Sequence, residues 1–435
     1  MYLAVKVKSD LFHKWSLLDY KVLAAQWRQS SRLLCSITHQ PDCSSAFSET
    51  SAVSLPAFQQ SNHMNTLSEQ YKIEAQREHI NIRSIFCTDE SDPTKHTMAH
   101  EGLFYRVPDN VFNSHQATGL RKDFQKMLKA FHEVCIMIRK PALEVFDILE
   151  NVNFDHPPAK IILYGKDGCG KSITLAHVVH YCYQKNWLIV DIPWAGHWLN
   201  RQVEIAQSTH NQDRMNFPFV ATAWLQLFKS RNLQLIKDLT TTKTYVWSKR
   251  ETTEEGTPLQ ELIDFGLNRQ RFADDCIGAL LREIRIRASE KRIKVLVSIN
   301  GLNAFWQNTT QREVDKQLIP AAKLTIVHNF KKMFLPTWNN GIFVGTVDTT
   351  ANSFSQREKV TPLYLLGKEG FEFMDPFIPI EVSNYTEKEV HSCLEYYIER
   401  MWIQNPRGRS DDGKKELIFL SNKHPYELTR ICASW

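Results

Sequence analysis

The sequence predicts a doubly wound α/β domain on a mainly parallel sheet, with an N-terminal extension and a small C-terminal helical subdomain. Three observations predict it. Apolar runs of strand length alternate with segments of helical periodicity. One such run, IILY (161–164), is followed at once by a glycine-rich loop, a helical stripe and the apolar run WLIVDI. That is a strand–loop–helix–strand unit, and it predicts parallel strands. Beyond residue 383 the strand-like runs stop and only helical spacing continues.

Composition sets the outer bounds. The chain has 435 residues, 43% hydrophobic and 23% charged, as in a globular protein of two or three domains. No run approaches 18 uninterrupted apolar residues, so no membrane span is expected. The net charge of +5 is compatible with a nucleic-acid partner without requiring one. Nine cysteines are scattered singly with no C-x-x-C pair, which argues against a zinc site and for reduced thiols in a cytosol-like or matrix compartment.

Residues 1–45 are read as a mitochondrial leader. Tyr20–Gln40 carries Lys21, Arg28, Arg32 and several serines with no acid, the composition of a transit peptide or of a plain basic tail, while Asp10 and Asp19 fit the former poorly. Residues 46–117 are polar and read as an extended arm. The domain proper spans 118–382. It opens with helical spacing through Phe124, Met127, Leu128, Phe131, Val134 and Cys135, broken at Pro141 and resumed over Ala142–Leu149. Strands are expected at IILY, Trp187–Ile192, Ile293–Asn300, Gly341–Val347 and Phe377–Val382. A long helix precedes the third, with its stripe on Ala273, Ile277, Leu280, Leu281, Ile284 and Ala288, and another helix is centred on Leu324–Phe334. Residues 195–268 show no clear period. In the subdomain 383–435, Thr386 and Glu389 have capping-box spacing ahead of a stripe on Val390, Leu394, Tyr397, Ile398 and Met401.

The chemistry concentrates at residues 165–172. Gly165, Gly170, Lys171 and Ser172 fit G-x-x-x-x-G-K-[ST], between a buried strand and an amphipathic helix. Glycines let main-chain N–H groups converge on a phosphate at a helix N-terminus. Lys171 supplies charge for the β- and γ-phosphates, and the Ser172 hydroxyl is the expected Mg²⁺ ligand. A hydrolysing site also places an acid at the end of a later strand, but VLVSIN ends in Asn300. Asp191 is the substitute candidate, with a solvated strand-end residue as the plainer reading. No catalytic residue is assigned. The sixteen histidines show no ligand spacing, and the nucleobase is not legible from a motif.

LYGKDGCGKS, RKPALEV, YVWSKRE, LVSINGLNAFW, LLGKEGF, DPFIPIEVSNY and GKKELIFLSN together resemble the death-associated protein 3 family, from about Asp92 to the C-terminus. The resemblance implies a P-loop NTPase-like ribosomal protein related to the AAA+ and STAND classes. It implies guanine nucleotide, GTP or GDP with ATP possible, and Mg²⁺, held by Gly165, Lys166, Asp167, Gly168, Cys169, Gly170, Lys171 and Ser172. It further implies the mitochondrial matrix, small-subunit rRNA and neighbouring ribosomal proteins as partners, a contact to the large subunit, and a role in apoptosis. Asn300 stands where the family shows an acid. Arg282, Arg285, Arg287, Lys291 and Arg292, and Lys243, Lys249 and Arg250 beside Trp247, are either rRNA-facing or simply solvated. A structural nucleotide-binding role, a STAND-like ATPase or GTPase switch, and more weakly a metabolite kinase remain the alternatives.

Overall fold

Two of the sequence-legible strands, IILY and GIFVGT, lie side by side within a five-stranded sheet. The computed structural model describes residues 85–434 apart from 114–118, 201–203, 209, 313–315 and 353–358. The leader at 1–45 and the arm up to residue 84 lie outside the described residues.

Residues 85–137 form a small three-stranded sheet. Strand β1 (Cys87–Thr88) runs parallel to β2 (Phe104–Arg106), and β3 (Cys135–Met137) runs antiparallel to β2. Helix α1 (Lys122–Phe131) precedes β3. The single helical stripe expected from Phe124 through Cys135 is therefore two elements. His132 adopts a left-handed φ of 54° and ends the helix, and Val134–Ile138 is buried throughout, the pattern of a strand covered on both faces. Pro141 does not kink a helix. It sits in the first turn of α2 (Lys140–Asn151), where its missing N–H has no intrahelical use.

The main domain then alternates regularly. In chain order it holds β4 (Ala159–Tyr164), α3 (Lys171–Gln184), β5 (Leu188–Ile192), α4 (Pro218–Ile236), α5 (Leu259–Asn268), α6 (Ala273–Ser289), β6 (Val295–Ile299), α7 (Thr325–Lys331), β7 (Gly341–Thr346), α8 (Pro362–Met374) and β8 (Ile378–Glu381). The five strands form one parallel sheet in the order β8-β4-β7-β6-β5. Strands β7 and β6 thus stand between β4 and β5, and the chain leaves β4, β6 and β7 on one edge of the domain.

Side-chain alternation builds a core on each face. Ile161 and Leu163 of β4, with Leu296, Ile342 and Val344, face α2 and α3 through Phe146, Leu175, Val178 and Tyr181. Ile162, with Val190, Val297 and Phe343, faces α4 to α8 through Trp224, Phe228, Ile277, Phe330 and Leu365. Burying each large apolar chain contributes about 1.5–3 kcal/mol.

Helix α4 lies in the region where no period was legible, because its core side carries polar residues. Strand β5 is a sheet edge, and Asn232 of α4 closes it: the Ile189 N–H donates to its Oδ1 (2.8 Å) and its Nδ2 donates to Ile189 O (2.9 Å). Helix α8 was also not legible, since Gly367 (φ +71°) breaks its period.

Beyond β8 the longer helices are α9 (Glu387–Glu399), α10 (Asp411–Ser421) and α11 (Pro425–Cys432), with a single turn at Pro406–Arg409 between the first two. The capping box is present, with Glu389 N donating to Thr386 Oγ1 (3.2 Å) and Thr386 N to Glu389 Oε2 (2.8 Å). These helices share a third core with the N-terminal sheet and α1, where Val390, Leu394, Tyr397, Leu417 and Leu428 meet Phe86, Phe104, Met127 and Phe131.

Candidate nucleotide site

The loop at 165–172 turns from β4 into α3 through three glycines with positive φ: Gly165 (+145°), Gly168 (+79°) and Gly170 (+104°). Only glycine suits this run. At Gly165 the need is also steric, since a Cβ would stand 2.3 Å from Val382 O, where the chain leaving β8 closes over the loop. The first N–H groups of α3 have no partner within the helix, so the loop ends on an anion-favouring terminus.

Lys171 is 3% exposed. Its Nζ donates to Gly165 O (3.0 Å) and Lys166 O (2.8 Å) and pairs with Asp348 Oδ2 (2.8 Å). Asp348 follows β7 and is fixed by its turn: Oδ1 accepts from Thr350 N (2.9 Å) and Thr350 Oγ1 (2.6 Å). Asp348 lies outside the motif spacing that marks the loop, although an acid just beyond the apolar run GIFVGTV is a visible signal.

Ser172 meets Asn300. Asn300 Nδ2 donates to Ser172 Oγ (3.0 Å) and to Gly119 O (3.3 Å), and Asn300 Oδ1 accepts from Thr346 Oγ1 (2.7 Å). A small cleft beside them is lined by Gly119, Ser172, Asp191, Pro193, Ser298 and Asn300. The plain reading of Asp191 as solvated is incorrect. It is buried and holds the buried Arg231 guanidinium, an engagement that competes with metal binding. Burial raises its pKa, against the pull of Arg231.

The other side of the loop is clamped. Arg139 is the hub: Nη1 donates to Cys169 O (2.8 Å), Nη2 to Ser383 O (3.0 Å) and Asn384 O (3.2 Å), and Nε and Nη2 to Glu389 (2.9 and 3.1 Å). Burial disfavours the guanidinium charge, but Glu389 outweighs it and the Arg139 pKa rises. Arg121 pairs with Asp167 (2.7 Å), His424 Nε2 donates to Asp167 O (2.8 Å), and Tyr426 N donates to Gly168 O (3.2 Å). Nothing in the local pattern of RKPALEV or SNKHPYE marked Arg139 or His424 as loop residues, because both contacts are long-range. Cys169 is buried and its thiol pKa is raised by that burial, so it is a packing residue.

Several of the basic residues are engaged within the chain. Arg287 is buried, with Nη2 on Thr240 O (2.7 Å), and Lys291 pairs with Asp155 (2.5 Å) and Arg292 with Glu290 (3.3 Å). Trp247 is buried and donates to Thr253 Oγ1 (2.8 Å), while Lys249 and Arg250 are exposed. Among the described residues no group of three His, Cys, Asp or Glu could hold a metal, and no helix is long and apolar enough to cross a membrane.

The donor set fits a phosphorylated nucleotide. Glycines occupy the places where side chains would obstruct the loop, a buried ammonium folds onto its carbonyls, and Ser172 borders a small cleft that mixes Asp191, Ser298 and Asn300 with Leu120, Leu175 and Val179. Lys171 and the loop amides would hold phosphate oxygens and Ser172 would meet Mg²⁺, which supplies charge neutralisation when bound. Asn300 supplies no negative charge at that point.

Comparison with known proteins adds a family match and three relatives. Residues 136–431 match the family model described as "Mitochondrial ribosomal death-associated protein 3". The chain is similar to "Small ribosomal subunit protein mS29" of Bos taurus, 41% identical over 351 residues, covering 81% of this chain and 88% of that one. It is as similar to the protein of the same name from Mus musculus, 41% identical over 352 residues and covering 81% and 90%. The namesake in Neurospora crassa is 22% identical over 232 residues, covering 53% and 48%.

Proposed function

The chain belongs to the mitochondrial ribosomal death-associated protein 3 family, and on that premise we propose that it is a structural component of the mitochondrial small ribosomal subunit whose glycine-rich loop holds GTP or GDP as a folding cofactor. It is a mitochondrial protein with a ribosomal role. Small-subunit rRNA, adjoining ribosomal proteins and the large subunit across the interface are the partners this reading assigns. The fold that goes with it is a P-loop NTPase related to the AAA+ and STAND classes. The placement of β7 and β6 between β4 and β5, with the loop after β4, supports that assignment.

One observation carries the nucleotide reading: a buried lysine at the head of α3 folds onto the carbonyls of a loop whose glycines all hold positive φ. Burying an ammonium costs stability unless anionic partners surround it, and Asp348 already supplies one such partner to Lys171. A polyphosphate is the partner this loop geometry suits. The missing carboxylate at Asn300 makes the nucleotide a structural group with weak turnover or none. A ligand at a hundred times its Kd stabilises the fold by about 2.7 kcal/mol. Purified Lys171→Ala protein is expected to lose nucleotide and to melt earlier by that order. Unchanged melting and unchanged incorporation into the subunit would contradict the stabilising role.

The alternative is a STAND-like GTPase or ATPase switch in apoptotic signalling. His424 and Tyr426 favour it, because they tie α11 to the phosphate loop and would register changes there. Multiple-turnover phosphate release well above a Lys171→Ala control supports the switch, and release equal to the control rejects it.

A further inference from the structure

The charges around the loop are balanced pair by pair. Lys171 faces Asp348, Arg139 faces Glu389 and Arg121 faces Asp167. Lys171 and Asp348 are both nearly inaccessible, with side chains 3% and 9% exposed. The ion pair therefore sits where water screens it least. Asp348 lies just beyond β7, the strand beside the loop-bearing β4, and its carboxylate meets the Lys171 ammonium where that ammonium reaches the Gly165 and Lys166 carbonyls.

We propose that Asp348 is a specificity-determining residue that sets the loop's preference between nucleoside diphosphate and triphosphate, disfavouring the terminal phosphate when no divalent cation is present. This inference rests on the nucleotide reading above. A phosphate entering the loop must draw Lys171 away from a carboxylate that is locked in place by Thr350, and Asp348 cannot turn aside without giving up both of those hydrogen bonds. A diphosphate requires the loop amides and part of the lysine charge. A triphosphate brings a further negative group toward the lysine tip, where Asp348 already stands. Two negative groups near one buried ammonium repel, and with Asn300 neutral no strand-end carboxylate helps to hold a neutralising cation there. The chemical class favoured by these charges is a nucleoside diphosphate, or a triphosphate accompanied by a divalent cation.

Asp348→Asn isolates the charge. Asparagine keeps an Oδ1 acceptor for Thr350 N and Thr350 Oγ1, so the turn is retained while the negative charge is lost. Full-length wild-type protein stripped of nucleotide is titrated calorimetrically with GDP and with GTP in EDTA, and then with GTP and Mg²⁺. The wild type is expected to bind GDP more tightly than GTP in EDTA, and Mg²⁺ is expected to narrow the gap. In Asp348→Asn the ratio of GTP to GDP affinity should rise about tenfold, the scale of one charge contact in a partly screened site. A purely structural role would weaken both nucleotides alike and leave the ratio fixed, and that result would overturn the proposal. Preference of the wild type for GTP in EDTA would overturn it as well, without any variant having to fold. If the wild type bound neither nucleotide, the nucleotide reading itself would fall and this inference with it. Binding of GDP with an unmoved ratio would reject only the role of Asp348.

Discussion

Arg139 and Glu389, 250 residues apart in the sequence, form a two-pronged buried ion pair with contacts of 2.9 and 3.1 Å. The same guanidinium reaches the carbonyl of Cys169 in the glycine-rich loop and those of Ser383 and Asn384 at the entrance to the C-terminal helices. Loop and C-terminal subdomain are thereby fastened through one side chain. Glu389→Ala would leave the guanidinium buried without a counter-charge and remove one arm of the capping box, a loss of about 3 kcal/mol or more. Urea denaturation measures it. A loss under about 1 kcal/mol would show that the pair does not hold the two parts together.

Gly168 is the second fastening point. A Cβ there would lie 2.6 Å from Tyr426 Cβ and 2.8 Å from His424 Cε1, on a backbone with φ of +79°. Gly168→Ala is expected to cost about 1–2 kcal/mol in backbone strain alone and to push α11 off the loop. Loss of amide protection in α11 on hydrogen exchange is the specific sign. Unchanged protection there would mean that the loop tolerates a side chain.

Most of the sheet was legible in the sequence because parallel strands covered on both faces read as unbroken apolar runs, as IILY, VLVSI and GIFVGT do. The turn at 165–172 was legible because its backbone needs glycines at Gly165, Gly168 and Gly170, where φ is positive. What escaped reading had a physical reason in each case. The strand at Cys135 continues the apolar spacing of α1, and only the left-handed His132 separates them. Helix α4 turns Arg231 and Asn232 inward to satisfy Asp191 and the β5 edge, which erases the amphipathic stripe. The clamp residues Arg139 and Glu389 meet across hundreds of residues, a relation that no local spacing records.

Asn300 occupies the strand-end position beside Ser172 and is neutral. Asn300→Asp would put a carboxylate there while keeping an acceptor for Thr346 Oγ1. Mg²⁺-dependent phosphate release from GTP is expected to rise about tenfold over wild type. Unchanged release would show that the missing charge is not what limits turnover.

Asp274 is fully buried at the start of α6, and burial, together with the adjacent Asp275 and against a hydrogen bond from Phe217 N–H, raises its pKa to about 8. In the unfolded chain the same carboxyl ionises near 4. Between these values the folded state holds a proton that the unfolded state has released, so this group's contribution to stability falls as pH rises. Asp274→Asn removes that dependence. Its stability relative to wild type should grow by about 1.4 kcal/mol per pH unit between pH 5 and 7, read from urea melts. A difference that stayed constant with pH would place the Asp274 proton elsewhere.

The central claim is that the loop at 165–172 retains a guanine nucleotide as part of the folded protein. Mass spectrometry of the small molecules released on denaturing the purified chain tests it most directly. GDP or GTP near one per chain, and absent from Lys171→Ala, is the predicted result. A wild-type preparation that is folded and releases no nucleotide would contradict the account.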